Sequence, residues 1–215
     1  MATKVHRKRR KPRDASGLAD EFINRLRSLE RTRTKAESLY TAGYLGKRDI
    51  LHIYEAIFLN LITQFEASLE ELFFALLMGR VTSANPRMRT KITTRSEAVI
   101  RNILLAGDNY LAWLPYRQTE ERAHNYFASG VPFSSLNDGE KSFLRESVFI
   151  RNAVAHKSKF SLRQFHGKVS GVTRLKPRER TPAGFLRSEF RAAPAQCRYE
   201  NIAATFGGIV GKLCR

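Results

Sequence analysis

Apolar residues return every three or four positions over long stretches of this chain, a spacing that predicts helices rather than strands. The strongest stretch is 49–78, where Ile50, Tyr54, Ile57, Leu61, Phe65, Leu69, Leu72 and Leu76 form one row. Phe58, Ile62, Phe73 and Leu77 make a second row beside it, so the stripe is wide enough for the centre of a bundle. Asp49 is the expected N-cap and Gly79 the expected stop. Upstream, Leu18, Phe22, Leu26 and Leu29 predict a helix over 18–40, with Gly43 just beyond its end.

The pattern is weaker afterwards. Residues 79–94, with Pro86, read as a basic, polar connection. A helix is expected over 96–105 with Val99, Ile103 and Leu104 facing inward, interrupted by Gly107-Asp108-Asn109. Tyr110, Trp113 and Tyr116 then form an aromatic patch around Pro115, expected to pack or to meet a second copy rather than to stack on bases. A short helix over 120–127 precedes a loop at 131–135, and Asn137 or Asp138 caps a helix over 139–157. Residues 161–195 contain Pro177, Pro182 and Pro194 and receive no regular structure. A last helix over 200–213 puts Ile202, Phe206, Ile209 and Leu213 on one side, although Gly207, Gly208 and Gly211 each cost it ~1 kcal/mol. No repeat and no run of strands is visible. The expectation is an all-α bundle of four to six helices over 15–215, behind a disordered basic tail over 1–14.

Charge changes the picture. The chain of 215 residues has a formal net charge of +18. Residues 1–13 hold seven basic side chains and no acid, and residues 157–198 hold eleven basic and two acidic. Between them, residues 14–156 are balanced at 18 against 17. A near-neutral body with two basic arms suits a polyanion, nucleic acid before an anionic membrane, although the N-terminal run also reads as a merely solvated tail. Cys197 and Cys214 lack CxxC spacing and a histidine cluster, which argues against zinc, a redox pair or a disulfide scaffold. The longest wholly apolar run is residues 72–78, well short of the ~20 needed to span a bilayer, and no signal peptide is visible, so a cytoplasmic protein is expected.

Several chemistries find no motif. There is no GxGxxG, HExxH or GxSxG, and the Gly207–Lys212 stretch is not a P-loop, because Phe206 and Leu213 stand where the motif needs glycine and a hydroxyl. The carboxylates are spread along helix surfaces. What remains is Arg151-Asn152-Ala153-Val154-Ala155-His156, near the end of the helix over 139–157. Arginine offers a planar fork to phosphate oxygens, and histidine moves protons near neutral pH. A helix C-terminus favours a cation, which suits a general acid. On an ideal helix, however, Arg151 lies ~140° from His156, while Arg145, Phe149 and Asn152 share the His156 face, with Phe160 too if the helix continues. Either the helix ends within the motif, or Arg151 wraps round, or a second copy completes the site. A surface ion pair for the arginine and a helix-end role for the histidine fit the spacing alone better than a site does. His52, His124 and His166 read as ordinary histidines, and Arg145 either faces the site or pairs with a neighbouring helix.

Phe149-Ile150-Arg151-Asn152-Ala153-Val154-Ala155-His156 resembles the RxxxxH motif of the HEPN superfamily, in which a polar residue such as asparagine commonly follows the arginine. The long apolar helix upstream is similar to that family's bundle, and the likeness extends over roughly 18–160. The segment Arg180-Thr181-Pro182-Ala183-Gly184-Phe185-Leu186-Arg187 resembles a downstream feature of some bacterial members. The resemblance implies a HEPN-like bundle, a two-fold homodimer with two facing motifs, and a metal-independent endoribonuclease that needs no cofactor. His156 would move protons, Arg151 would balance phosphate charge, and Asn152 would orient one of them, leaving a 2′,3′-cyclic phosphate. Arg145, Lys157, Lys159 and Arg163 would hold the RNA backbone. Toxin or anti-phage defence roles, with an antitoxin or other defence partner, are implied by the same resemblance. A non-catalytic RNA- or protein-binding module and a DNA-binding accessory protein remain alternatives.

Overall fold

The computed structural model describes residues 13–92, 96–105, 109–172 and 175–215 of the chain, and it is predominantly helical. The tail expected over 1–14 lies outside those residues up to position 12. Its last two positions belong to the body: β1 (Arg13–Asp14) pairs in parallel with β2 (Val81–Thr82), and Ala15 is fully buried.

Two long helices set the frame. α1 (Ser16–Thr41) and α2 (Lys47–Leu77) form an antiparallel pair, as the Phe22–Phe65 ring contact near one end and the Arg33–Tyr54 hydrogen bond near the other show. Both end in the same way. Gly43 (φ +82°) and Gly79 (φ +61°) take the left-handed conformation that glycine tolerates. The following N–H groups, of Tyr44 and Arg80, then reach back to the Leu39 and Ala75 carbonyls. At the start of α2 the cap differs from expectation. Gly46 is the cap, and Asp49 sits inside the first turn with its carboxylate accepting from the Gly46 N–H at 2.8 Å. An acid in a first turn serves the free N–H groups as well as one at the cap itself.

Fifteen side chains of α2 are buried, more than any single stripe accounts for, because elements pack on several sides of it. α8 (Arg198–Leu213) lies against α1 and α2, and α5 (Asp138–His156) and α7 (Pro182–Arg187) against α2. Rings tie these layers together. Phe65 meets Phe22 and Phe206, and Phe206 meets Phe143 of α5 at 5.1 Å. Phe73 lies among Trp113, Tyr126, Phe127 and Phe133, so the expected aromatic patch is partly core: Trp113 and Tyr116 are buried, while Tyr110 is exposed. Gly207 lets α8 close on α1, since a Cβ there would stand 2.9 Å from Ile23 Cδ1.

The shorter elements depart further from expectation. Eight helices are present among the described residues rather than four to six. In α3 (Glu97–Leu105) the inward residues are Ile100 and Leu104, while Val99 and Ile103 are exposed. Arg101 decides this: it donates to Glu70 at 2.9 Å and covers the Phe74 ring, which turns the neighbouring row outward. The break expected at 107–109 lies outside the described residues except for Asn109. α4 (Tyr116–Tyr126) begins four residues earlier than expected, directly after Pro115. Asn137 is the cap of α5, in a reciprocal pair with Glu140.

The span 161–195 is a correction, because its described residues are built rather than irregular. α6 (Lys159–Lys168) starts at Ser158, whose hydroxyl accepts from the Ser161 N–H. α7 starts at Thr181 with Pro182 in its first turn, and β3 (Glu189–Arg191) pairs with β4 (Gln196–Cys197). Pro177 and Pro182 mark helix starts while Pro194 lies in the turn between β3 and β4, and short helices lack the length that makes periodicity visible. No helix among the described residues is long and apolar enough to cross a membrane.

Phe73→Ala should lower stability by ~3–5 kcal/mol, because four ring neighbours cannot collapse into the space left. Denaturant unfolding checks this, and a loss under 1 kcal/mol would mean that the aromatic layer is not core.

Candidate functional site

All six residues from Arg151 to His156 are helical, so α5 ends just after the motif rather than within it. Ile150, Ala153 and Val154 face the core, and this fixes the rotation of the helix. Arg151 and Asn152 are left half-buried and His156 exposed. No side-chain hydrogen bond joins Arg151 to His156 among the described residues, and none of the cavities described here is lined by both.

Arg151 instead borders a cavity of about 650 Å³ beside α2, with Leu59, Glu66, Glu70, Tyr110 and Trp113. Glu70 is held there by the Trp113 Nε1–H at 2.8 Å and by Arg101. Burial pushes the Glu66 carboxyl above its usual range, and the Arg151 charge opposes that rise. Glu66 and Glu70 carried no signal in the sequence, being two glutamates among several on α2.

The other expected residues are distributed as follows. Lys157 has a left-handed backbone (φ +49°) and donates through Nζ to Glu55 Oε2 at 2.7 Å, while its side chain stays 58% exposed. Lys159 and Arg163 are exposed on α6. Arg145 is on the His156 face, but eleven residues along the helix place it ~16 Å away, where it donates to Ser142 Oγ. Phe160 does not continue the α5 face, because Lys157 and the Ser158 cap start a new helix.

A larger cavity, about 730 Å³, lies elsewhere, between α1, α2, α7 and the start of α8. Arg187 makes two hydrogen bonds to Glu37 at 2.8 and 2.9 Å while its guanidinium covers Tyr40. Glu37 also accepts from the Tyr54 hydroxyl at 2.8 Å, and Arg33 joins Tyr54 to Glu200. Arg187 holds the Glu37 carboxyl below its ordinary 4.5, and burial pushes the Cys197 thiol up to about 11, which leaves it a poor nucleophile. The charges here satisfy one another, so this cluster locks four helices together. Only Arg33 and Glu37, four apart on α1, were adjacent on any predicted face.

No group of three or more His, Cys, Asp or Glu side chains that could hold a metal ion occurs among the described residues. Comparison with known protein families, with curated proteins and with solved structures yields no match.

The Glu37 pairing should show in the pH dependence of stability. Its carboxyl is depressed on folding, so its contribution is complete above about 4.5 and is lost as pH falls through the folded value. The stability gap between wild type and Glu37→Gln should be full at pH 7 and shrink below that point in thermal melts. A gap constant down to pH 3 would contradict the pairing.

Proposed function

We propose that this chain is a HEPN-like helical domain acting as an endoribonuclease that cuts RNA without a metal ion. The observation that carries the proposal is the position of His156: exposed at the last turn of α5, without a side-chain hydrogen bond among the described residues. It is followed by a helix with no acid. Between Glu146 and Glu179 the chain has eight Lys or Arg and no Asp or Glu. The exposed Lys159, Arg163 and Lys168 of that helix concentrate a polyanion around a group able to transfer protons.

In the proposed reaction the RNA 2′-oxygen forms a bond to the adjacent phosphorus, and the bond to the 5′-oxygen breaks. The 2′-hydroxyl proton passes to solvent water, and the leaving oxygen gains one from His156. The products are a 2′,3′-cyclic phosphate and a 5′-hydroxyl. Arg151 supplies positive charge for the crowded phosphate, and Asn152, half-buried between them in sequence, orients the phosphate or the imidazole. No hydrogen bond joins Arg151 to His156 among the described residues of one chain, so the proposed reaction uses a homodimer in which the second copy completes the site. Lys159 and Arg163 hold the backbone, giving salt-sensitive binding.

The same separation favours one competing reading, a non-catalytic RNA-binding module in which Arg151 serves Glu66 and the fold. Purified protein incubated with total and transfer RNA in EDTA distinguishes them. Wild type should leave cyclic-phosphate ends, and Arg151→Ala and His156→Ala should each cut at least ~100-fold more slowly. Cleavage that persists in both variants would remove the site assignment. Inert wild type would favour the binding module.

A further inference from the structure

We infer that Phe160 is a stacking platform for an unpaired RNA base, so that the strand this surface holds is single-stranded; this rests on the RNA reading given above. Phe160 is 64% exposed, although phenylalanine is usually among the more buried residues. It is the second residue of α6, whose inward side is taken by Ser161 and Phe165. The outward side carries Lys159, Phe160 and Arg163. The start of that helix is pinned, because Ser158 Oγ lies 2.8 Å from Ser161 Oγ and accepts from the Ser161 N–H. The ring is therefore presented by a rigid element, and at most ~14 Å of chain separates it from His156.

Charge selects the partner. Lys159 and Arg163 have no ion-pair partner among the described residues, unlike Lys157 with Glu55. They are free for phosphates on either side of a base lying on the ring. The other highly exposed rings have different surroundings. Tyr110 borders the cavity lined by Glu66, Glu70 and Arg151, and Phe190 lies near the Arg198 guanidinium. Tyr44, 80% exposed, sits at the turn between α1 and α2 before Lys47, Arg48 and Asp49 of the following helix start, and no short stretch of chain joins it to His156. An aromatic face can accept only a base that has left its own stack, so a duplex would gain nothing from Phe160.

The test uses full-length His156→Ala protein, which leaves the RNA intact. Its ligands are a 2-aminopurine-labelled ten-nucleotide RNA, alone or annealed to its complement, at several salt concentrations in EDTA. The single strand should bind about tenfold more weakly when Phe160→Ala is added, with an unchanged salt slope because no charge is lost. Phe160→Trp should restore binding, and duplex affinity should not move. Unchanged single-strand affinity in Phe160→Ala would overturn stacking, as would an equal loss for the duplex. A change in sedimentation of the RNA-free protein would assign the ring to contact with a second copy instead. The cleavage assay keeps the two ideas apart. Wild-type cleavage with Phe160-independent binding removes the platform alone, and Phe160-dependent binding without cleavage removes the nuclease alone.

Discussion

Burial of α2 is the constraint on which the other elements depend. A helix of 31 residues with fifteen buried side chains cannot exist in water without neighbours on several sides. α1, α5, α7 and α8 supply those neighbours. The polar residues of α2 then emerge where the packed elements leave gaps, and each such gap presents an acid to a neighbouring element. Glu55 takes Lys157, Glu66 faces Arg151, and Glu70 takes Arg101 and the Trp113 indole. Core packing thereby positions the cations at the end of α5.

That arrangement also sorts the basic residues. Lys157, close to α2, is paired with Glu55, whereas Lys159 and Arg163 on α6 have no ion-pair partner among the described residues. The split arises at Lys157. Its left-handed backbone stops α5, and the Ser158 cap starts α6 on a new axis, so the basic side chains that follow belong to a separate surface. A continuous helix would have kept Phe160 on the α5 face and left no such surface.

Helices with long periodic stripes were legible in the chain. The 18–40 and 49–78 patterns became α1 and α2 with boundaries shifted by at most two residues, and 200–213 became α8 despite three glycines. Short elements were not. α6 and α7 have ten and six residues, too few for a periodic stripe, and their caps at Ser158 and Thr181 were the available signals. In α3 two adjacent rows fitted helical spacing equally, and the choice fell to Arg101 and its glutamate on another helix.

The sequence by itself determined the helical class, the central position of α2, the segregation of charge and the presence of an arginine and a histidine five apart near one helix end. These are local or additive properties, set by spacing and composition along the chain. Only the tertiary structure decided that Arg151 faces Glu66 while His156 faces solvent, that Lys157 is tied to Glu55, and that Arg33, Glu37, Tyr54 and Arg187 form one cluster. The reason is physical: hydrogen bonds between residues more than a hundred positions apart leave no periodic trace, and the rotation of a helix is set by what packs against it.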